Sequence, residues 1–121
     1  MKIRTQSLTG RALDYAVAKA NDTMVRIGSS GTVYAFRSGS PVTWNPSENW
    51  AQGGPIIDRE KITLDYDFDG QGLSLWTARK YAFDGTLLWA EFGDSPLIAA
   101  MRCFVASRLG DEVEIPEELC K

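Results

Sequence analysis

Asp94-Ser95-Pro96-Leu97-Ile98-Ala99-Ala100-Met101-Arg102-Cys103-Phe104-Val105-Ala106-Ser107-Arg108-Leu109-Gly110 is the stretch whose reading decides the fold. Asp94 or Ser95 can accept hydrogen bonds from the free amides of a helix start, and Pro96 suits the first turn, where its missing N–H costs nothing. Leu97, Ala100, Met101, Phe104, Val105 and Leu109 recur at helical spacing, while Arg102 and Arg108 fall off that stripe. Gly110 supplies a left-handed stop. A helix with one apolar stripe has to bury it against a second layer.

The second layer lies upstream. Ile62, Leu64, Tyr66 and Phe68 alternate with Thr63, Asp65 and Asp67, the period of a strand with one wet face. Residues 73–83 and 86–92 read as two further strands, joined at Asp84-Gly85, a dipeptide that tolerates the positive φ of a tight hairpin. Residues 24–27 and 32–36 read as two short strands around Gly28-Ser29-Ser30-Gly31. Before them, Leu8, Ala12, Leu13, Ala16, Val17 and Ala20 mark a first helix, capped by Ser7 or Thr9 and ended by Asn21-Asp22. The expected architecture is one α+β domain over residues 1–121: two layers, a mainly antiparallel sheet of four to five strands, and two helices on one face.

Bulk properties narrow the chemistry. A chain of 121 residues can bury a real core without metal or disulfide staples. A formal net charge of −3 gives no general attraction to a polyanion, so nonspecific nucleic-acid binding is not expected. No apolar run approaches a membrane span, and Met1-Lys2-Ile3-Arg4 lacks the apolar core of a signal peptide, so no membrane partner is expected and the cytoplasm is the expected location. The chain has no histidine, which excludes a Ser-His or Cys-His dyad within it and a typical zinc hydrolase site. Cys103 reads as a small packing residue, and with Cys120 it would stay reduced in a cytosol.

The segment Trp44-Asn45-Pro46-Ser47-Glu48-Asn49-Trp50-Ala51-Gln52-Gly53-Gly54-Pro55 has almost no apolar periodicity and reads as an ordered loop. Its indoles either cover the core edge, with Asn45, Asn49 and Gln52 tying down backbone, or they meet a ligand. In the second case an indole stacks on a flat ligand, Asn45 or Gln52 reads its polar edge, and Arg59 or Arg79 meets a phosphate. Stacking of a base on an aromatic ring is worth about 1–3 kcal/mol. Trp44, Asn45, Trp50, Gln52 and Arg59 are therefore the candidate contact surface, while Trp76 and Trp89 lie in strands and are assigned to core or interface.

Two motifs invite overreading. Asp65-Tyr66-Asp67-Phe68-Asp69-Gly70 reproduces the first half of a calcium-binding EF-hand loop, but the twelfth position is Trp76 where a bidentate Glu is needed. The flanks alternate like strands, so Asp65 and Asp67 are placed on a wet strand face and residues 69–72 in a turn. Gly28-Ser29-Ser30-Gly31 could cradle phosphate only with a following helix and usually a lysine; a strand follows instead, so it reads as a hairpin connection. No motif calls for a cofactor or a resident metal.

Three blocks resemble the NinX-like family of small bacteriophage and prophage proteins. They run from Gly93-Asp94-Ser95-Pro96 through Glu114-Ile115-Pro116, from Leu8-Thr9-Gly10-Arg11 to Ala18, and from Trp50-Ala51-Gln52-Gly53-Gly54-Pro55 to Ile57. The resemblance implies a phage-encoded accessory protein acting in the bacterial host cytoplasm, and it transfers no catalytic residue. The expected role is binding: antagonism of a host defence component, through a host protein or by sequestering a small nucleotide signal. Two alternatives stand beside it. One is a small metal-dependent nucleotide-processing enzyme using Asp58, Glu60 or the Asp65/Asp67 pair. The other is a structural or regulatory homo-oligomer built on exposed strands or the tryptophan segment.

Overall fold

The computed structural model describes residues 1–68, 70–72 and 74–120. In chain order its elements are β1 (Lys2–Arg4), α1 (Gly10–Ala20), β2 (Val25–Ile27), β3 (Val33–Arg37), β4 (Ser40–Thr43) and α2 (Trp50–Glu60). They continue with β5 (Thr63–Phe68), β6 (Ser74–Tyr81), β7 (Leu87–Gly93), α3 (Pro96–Leu109) and β8 (Glu112–Glu114). Short 3-10 turns at Thr5–Ser7 and Glu117–Leu119 complete the described chain.

The helix α3 organises the fold. Ser95 Oγ accepts the Ile98 N–H at 3.1 Å, capping a helix that begins at Pro96 as its sequence requires. Leu97, Ala100, Met101, Phe104 and Val105 are buried, but so are Ala99, Cys103 and Ala106. The helix is therefore apolar nearly all round, because it is covered from several sides: by β6 and β7, by α1 and by α2. Small alanines on the flanks permit that close approach. At the C-cap, Gly110 has the expected positive φ of 89° but a ψ of −163°, so it leaves the helix in an extended turn rather than the left-handed helical one. Arg102 reaches back to the carbonyls of Leu8 and Phe92, both at 2.8 Å, and so ties the first turn of the chain and the end of β7 to α3.

Among the described residues all sheet pairing is antiparallel, but the strands form three sheets rather than one: β1-β8, β2-β3-β4 and β5-β6-β7. The five strands expected from sequence all form. They divide between two sheets because α2 stands between β4 and β5. Among the described residues the fold is α+β with three helices and eight strands, which the simple two-layer expectation matches only roughly. Three strands were not legible. The turn Ser38-Gly39 takes positive φ at both residues (53° and 81°), the geometry of a two-residue hairpin loop, and so creates the exposed edge strand β4. The strand β8 pairs with β1, and the amino group of Met1 donates to the Ile115 carbonyl at 3.0 Å, so the segment after α3 docks on the body with Val113, Ile115 and Leu119 buried.

Along β5 the expected inner face loses its cover. Ile62 is buried and Leu64 packs on the core, yet Tyr66 and Phe68 are 58% and 64% exposed. The helix α3 lies on β6 and β7, so the far half of β5 runs past it, and the Tyr66 ring leans on Trp76 at 5.2 Å between centroids. The expected turn at residues 69–72 and the start of the strand at 73 include Asp69 and Leu73, which lie outside the described residues. No helix among the described residues is long and apolar enough to cross a membrane.

Candidate functional site

The tryptophan segment is not a free loop. Its second half is the first half of α2, a correction to the loop reading of residues 44–55. Asn49 caps the helix by accepting the Ala51 N–H at 2.9 Å, and Gly53, Ile56 and Glu60 form the buried face. That face was hidden because two of its three members are a glycine and a charged residue. Gly53 is small for a reason: a Cβ there would meet the Pro46 carbonyl oxygen at 2.6 Å and Leu97 Cδ2 at 2.7 Å.

Gln52 closes the segment into a knot. Its Oε1 accepts the Asn45 N–H and its Nε2 donates to the Thr43 carbonyl, each at 2.7 Å. The Asn45 carbonyl in turn accepts from the N–H groups of Glu48 and Asn49, both at 2.9 Å. Trp44 joins the knot to two other elements. Its backbone N–H donates to Val33 and its indole N–H to the Asp14 carbonyl of α1, at 2.8 and 2.9 Å. The Asn45 carboxamide, by contrast, makes no hydrogen bond among the described residues.

A cleft of about 450 Å³ opens on this knot, lined by Trp44 and Asn45 together with Arg11, Asp14, Thr32 and Glu48. Arg11 is positioned by one hydrogen bond, from its terminal nitrogen to the Ser30 carbonyl at 2.8 Å, leaving its other donors unspent. Asp14 is buried and accepts the Ser47 N–H at 2.9 Å. Burial pushes its carboxyl up to about 6, the Ser47 amide pulls down, and the charge of Glu48 pushes up again. The Ser47 hydroxyl, buried beside it, has no partner in good hydrogen-bond geometry.

The other proposed contact residues lie elsewhere. Trp50, 54% exposed, stands at the first turn of α2 beside a second cleft of about 360 Å³ formed with Ser95, Pro96, Leu97 and Ile98. Arg59 lies at the opposite end of α2, nine residues and about 13 Å further along and on the opposite face. It donates to Glu60 Oε2 at 2.9 Å and to Asn21 Oδ1 at 2.7 Å. The structure thus brings Trp44, Asn45 and Gln52 together, sets Trp50 on the far side of Glu48, and separates Arg59 from all four.

Of the candidate carboxylates, Glu60, Asp65 and Asp67 are already occupied, whereas Asp58 is exposed on α2. Glu60 accepts from Arg59, Arg108 and Lys80 at 2.9, 3.0 and 2.7 Å. Burial alone would raise its carboxyl, but hydrogen bonds from Lys80 and Arg59 and the charges of Lys80 and Arg108 overcome that and hold it at about 2. Asp65 and Asp67 share Arg79, at 2.7 and 3.6 Å, and Asp67 also accepts from the Thr77 hydroxyl. Arg79 is thereby committed to the acidic strand face of β5. Asp69, third member of the calcium-like motif, lies outside the described residues. Among the described residues no group of three or more His, Cys, Asp or Glu side chains could hold a metal ion. Gly28-Ser29-Ser30-Gly31 is a hairpin connection, closed by Gly28 N–H to Thr32 and Gly31 N–H to Gly28 at 2.8 and 2.9 Å.

Matching against families gives a decisive result: the one described as Bacteriophage P22, NinX covers residues 4–108. This chain belongs to that family. No curated protein matches it. The NinX match takes in α1, the knot, both clefts and all of α3 except its last residue, Leu109, so every residue of the candidate sites falls inside it. Of the cleft residues, Arg11, Asp14 and Glu48 were not singled out by sequence. Asp14 lies one turn before the fully buried Ala18, so both sit on a second inward face of α1 that only the structure reveals.

Proposed function

We propose that this NinX-family chain is a phage accessory protein that acts by binding, and that it sequesters a small nucleotide-class signal of the host in the cleft of Trp44, Asn45 and Arg11. The observation that carries the reading is the unspent carboxamide of Asn45, held beside an indole and a guanidinium in about 450 Å³. That volume lies within the usual range for small-molecule sites, roughly 300–1,000 Å³. A carboxamide pairs with the donor–acceptor edge of a base, an indole packs on its plane, and Arg11 meets a phosphate. Gln52 contributes by positioning, since its amide is spent on the backbone that carries Asn45.

Native mass spectrometry of protein purified gently from its bacterial host, before and after denaturation, tests this directly. A retained nucleotide, or a calorimetric titration with mono- and cyclic nucleotides that Asn45→Ala weakens at least tenfold, supports the reading. Binding that Asn45→Ala and Arg11→Gln leave untouched overturns the site. One other reading has its own observation. Trp50 is a half-exposed indole beside an apolar cleft, the kind of residue that anchors protein interfaces. Co-purification of a host protein that Trp50→Ala abolishes, with no nucleotide retained, favours that partner instead. The enzyme alternative is weakened because Glu60, Asp65 and Asp67, three of its four candidate carboxylates, are already paired to arginine or lysine. The homo-oligomer alternative draws on the exposed Tyr66, Phe68 and Phe92 and is decided by sedimentation.

A further inference from the structure

Glu60, at the end of α2, gathers three cations where charge balance asks for one. Arg59 and Arg108 both reach its Oε2, and Lys80 reaches Oε1. The helices α2 and α3 start at one cleft, with Trp50 beside Ser95–Ile98, and end together here. Each helix C-terminus contributes about half a negative charge. Even with both ends counted, the three cations outweigh the carboxylate and the dipoles, in a chain whose net charge is −3.

The two guanidiniums are also held in place before any ligand arrives. Both lie over the Phe104 ring, Arg59 at 5.6 Å and Arg108 at 5.3 Å from its centroid. Their side chains remain 51% and 45% exposed. Arg108 spends a single nitrogen on Glu60, and Arg59 spends two, on Glu60 and Asn21. Donors on both guanidiniums remain available to meet the oxygens of a phosphate. We propose that Arg59, Arg108 and Lys80, gathered around Glu60, form a binding site for a compact phosphate-bearing anion. Compactness follows from the overall negative charge, which repels a long polyanion but not a small ligand at short range. The site lies about 12 Å along α2 from Gln52, the knot's residue on that helix, so it stands independently of the nucleotide cleft.

The test is a titration of the ¹⁵N-labelled protein with inorganic pyrophosphate in low salt, with sodium chloride at matched ionic strength as the control. Saturable shifts are expected at residues 59–61, 80 and 106–109, and Arg108→Gln should weaken binding about tenfold. The double variant Arg59→Gln/Arg108→Gln should abolish it. If the double variant fails to fold, Arg108→Gln alone decides, since Glu60 keeps Arg59 and Lys80 there. Arg37→Gln, which removes an exposed charge from the β3–β4 hairpin, should leave binding unchanged. The proposal is overturned if pyrophosphate does no more than sodium chloride, or if Arg37→Gln weakens binding as much as Arg108→Gln.

Discussion

Asp14 Oδ1 accepts the backbone N–H of Ser47 at 2.9 Å, with both residues buried, and this bond joins α1 to the tryptophan segment. Because burial raises the Asp14 carboxyl from 3.8 to about 6, the folded chain binds this proton more tightly than the unfolded one. The contribution is neutral below pH 3.8 and becomes a growing penalty as pH rises to about 6. Above that it is constant, at about 3 kcal/mol. Asp14→Asn keeps the acceptor and removes the ionisation. Urea unfolding should show Asp14→Asn more stable than the parent at pH 7 and nearly equal at pH 4. A constant difference across that range sinks the assignment.

Glu60 carries the opposite sign. Its folded carboxyl is held at about 2 against an ordinary 4.5, so its contribution is full above pH 4.5 and disappears as pH falls towards 2. Glu60→Gln should therefore flatten the acid side of the stability profile while lowering stability at pH 7, where it leaves three cations facing one another. Acid unfolding curves of the two proteins compared between pH 2 and 5 provide the check, and parallel curves would contradict it.

Gln52 and Trp50 are two residues apart and should behave in opposite ways. Gln52→Ala removes two hydrogen bonds and leaves the Asn45 N–H and Thr43 carbonyl without partners, a loss of about 1–3 kcal/mol. Trp50→Ala, at a half-exposed first-turn position, should change stability by no more than about 0.5 kcal/mol. Chemical denaturation of both variants settles it. Similar losses for the two would mean that Trp50 is packed rather than presented.

How legible this fold was depended on where apolar residues carried the signal. The helix α3 and the β6–β7 hairpin announced themselves through Ser95-Pro96, Gly110, Asp84-Gly85 and alternating side chains. The helix α2 did not, because Gly53 and Glu60 occupy two of its three inward positions and Pro55 sits inside it. A Cβ at Gly53 is excluded by Pro46 and Leu97, and the Glu60 charge is balanced by its neighbour Arg59 and by the sequence-distant Lys80 and Arg108, which no local pattern points to. The site was half legible for the same reason. Trp44 and Asn45 stood out by composition, whereas Arg11 and Asp14 join them only through the packing of α1 beneath the knot.

The two cysteines should report the core directly. Cys103 is fully buried, and burial, with the charge of Glu91, pushes its thiol up to about 11. Cys120 is partly exposed and donates only a long hydrogen bond, 3.5 Å to the Pro116 carbonyl. Iodoacetamide at mildly alkaline pH should give one adduct, on Cys120, in the native protein and two after denaturation. Intact-mass measurement with peptide mapping reads the outcome. Rapid native labelling of Cys103 would show that α3 separates from the sheet on the labelling timescale.

Gly53 and Gly54 offer the sharpest test of how α2 is held. Both are helical glycines, so intrinsic propensity alone predicts that alanine at either one stabilises by about 0.5–1 kcal/mol. Packing separates them. At Gly54 a Cβ would meet Trp50 at 3.9 Å, an ordinary contact, but the Pro55 ring that follows disfavours a helical residue with a Cβ before it, so Gly54→Ala should realise only part of the gain. At Gly53 it would meet the backbone oxygen of Pro46 at 2.6 Å, and that oxygen cannot rotate away. The helix would have to lift from the knot and from Leu97, giving up contacts that also position Asn45. Gly53→Ala should therefore destabilise by about 1–3 kcal/mol, opposite in sign to its neighbour, and should weaken any ligand that depends on Asn45. Thermal melts of the two variants side by side distinguish the accounts: two small gains would mean that α2 rests on propensity, whereas a gain at Gly54 and a loss at Gly53 place its stability in the contact with Pro46 and α3.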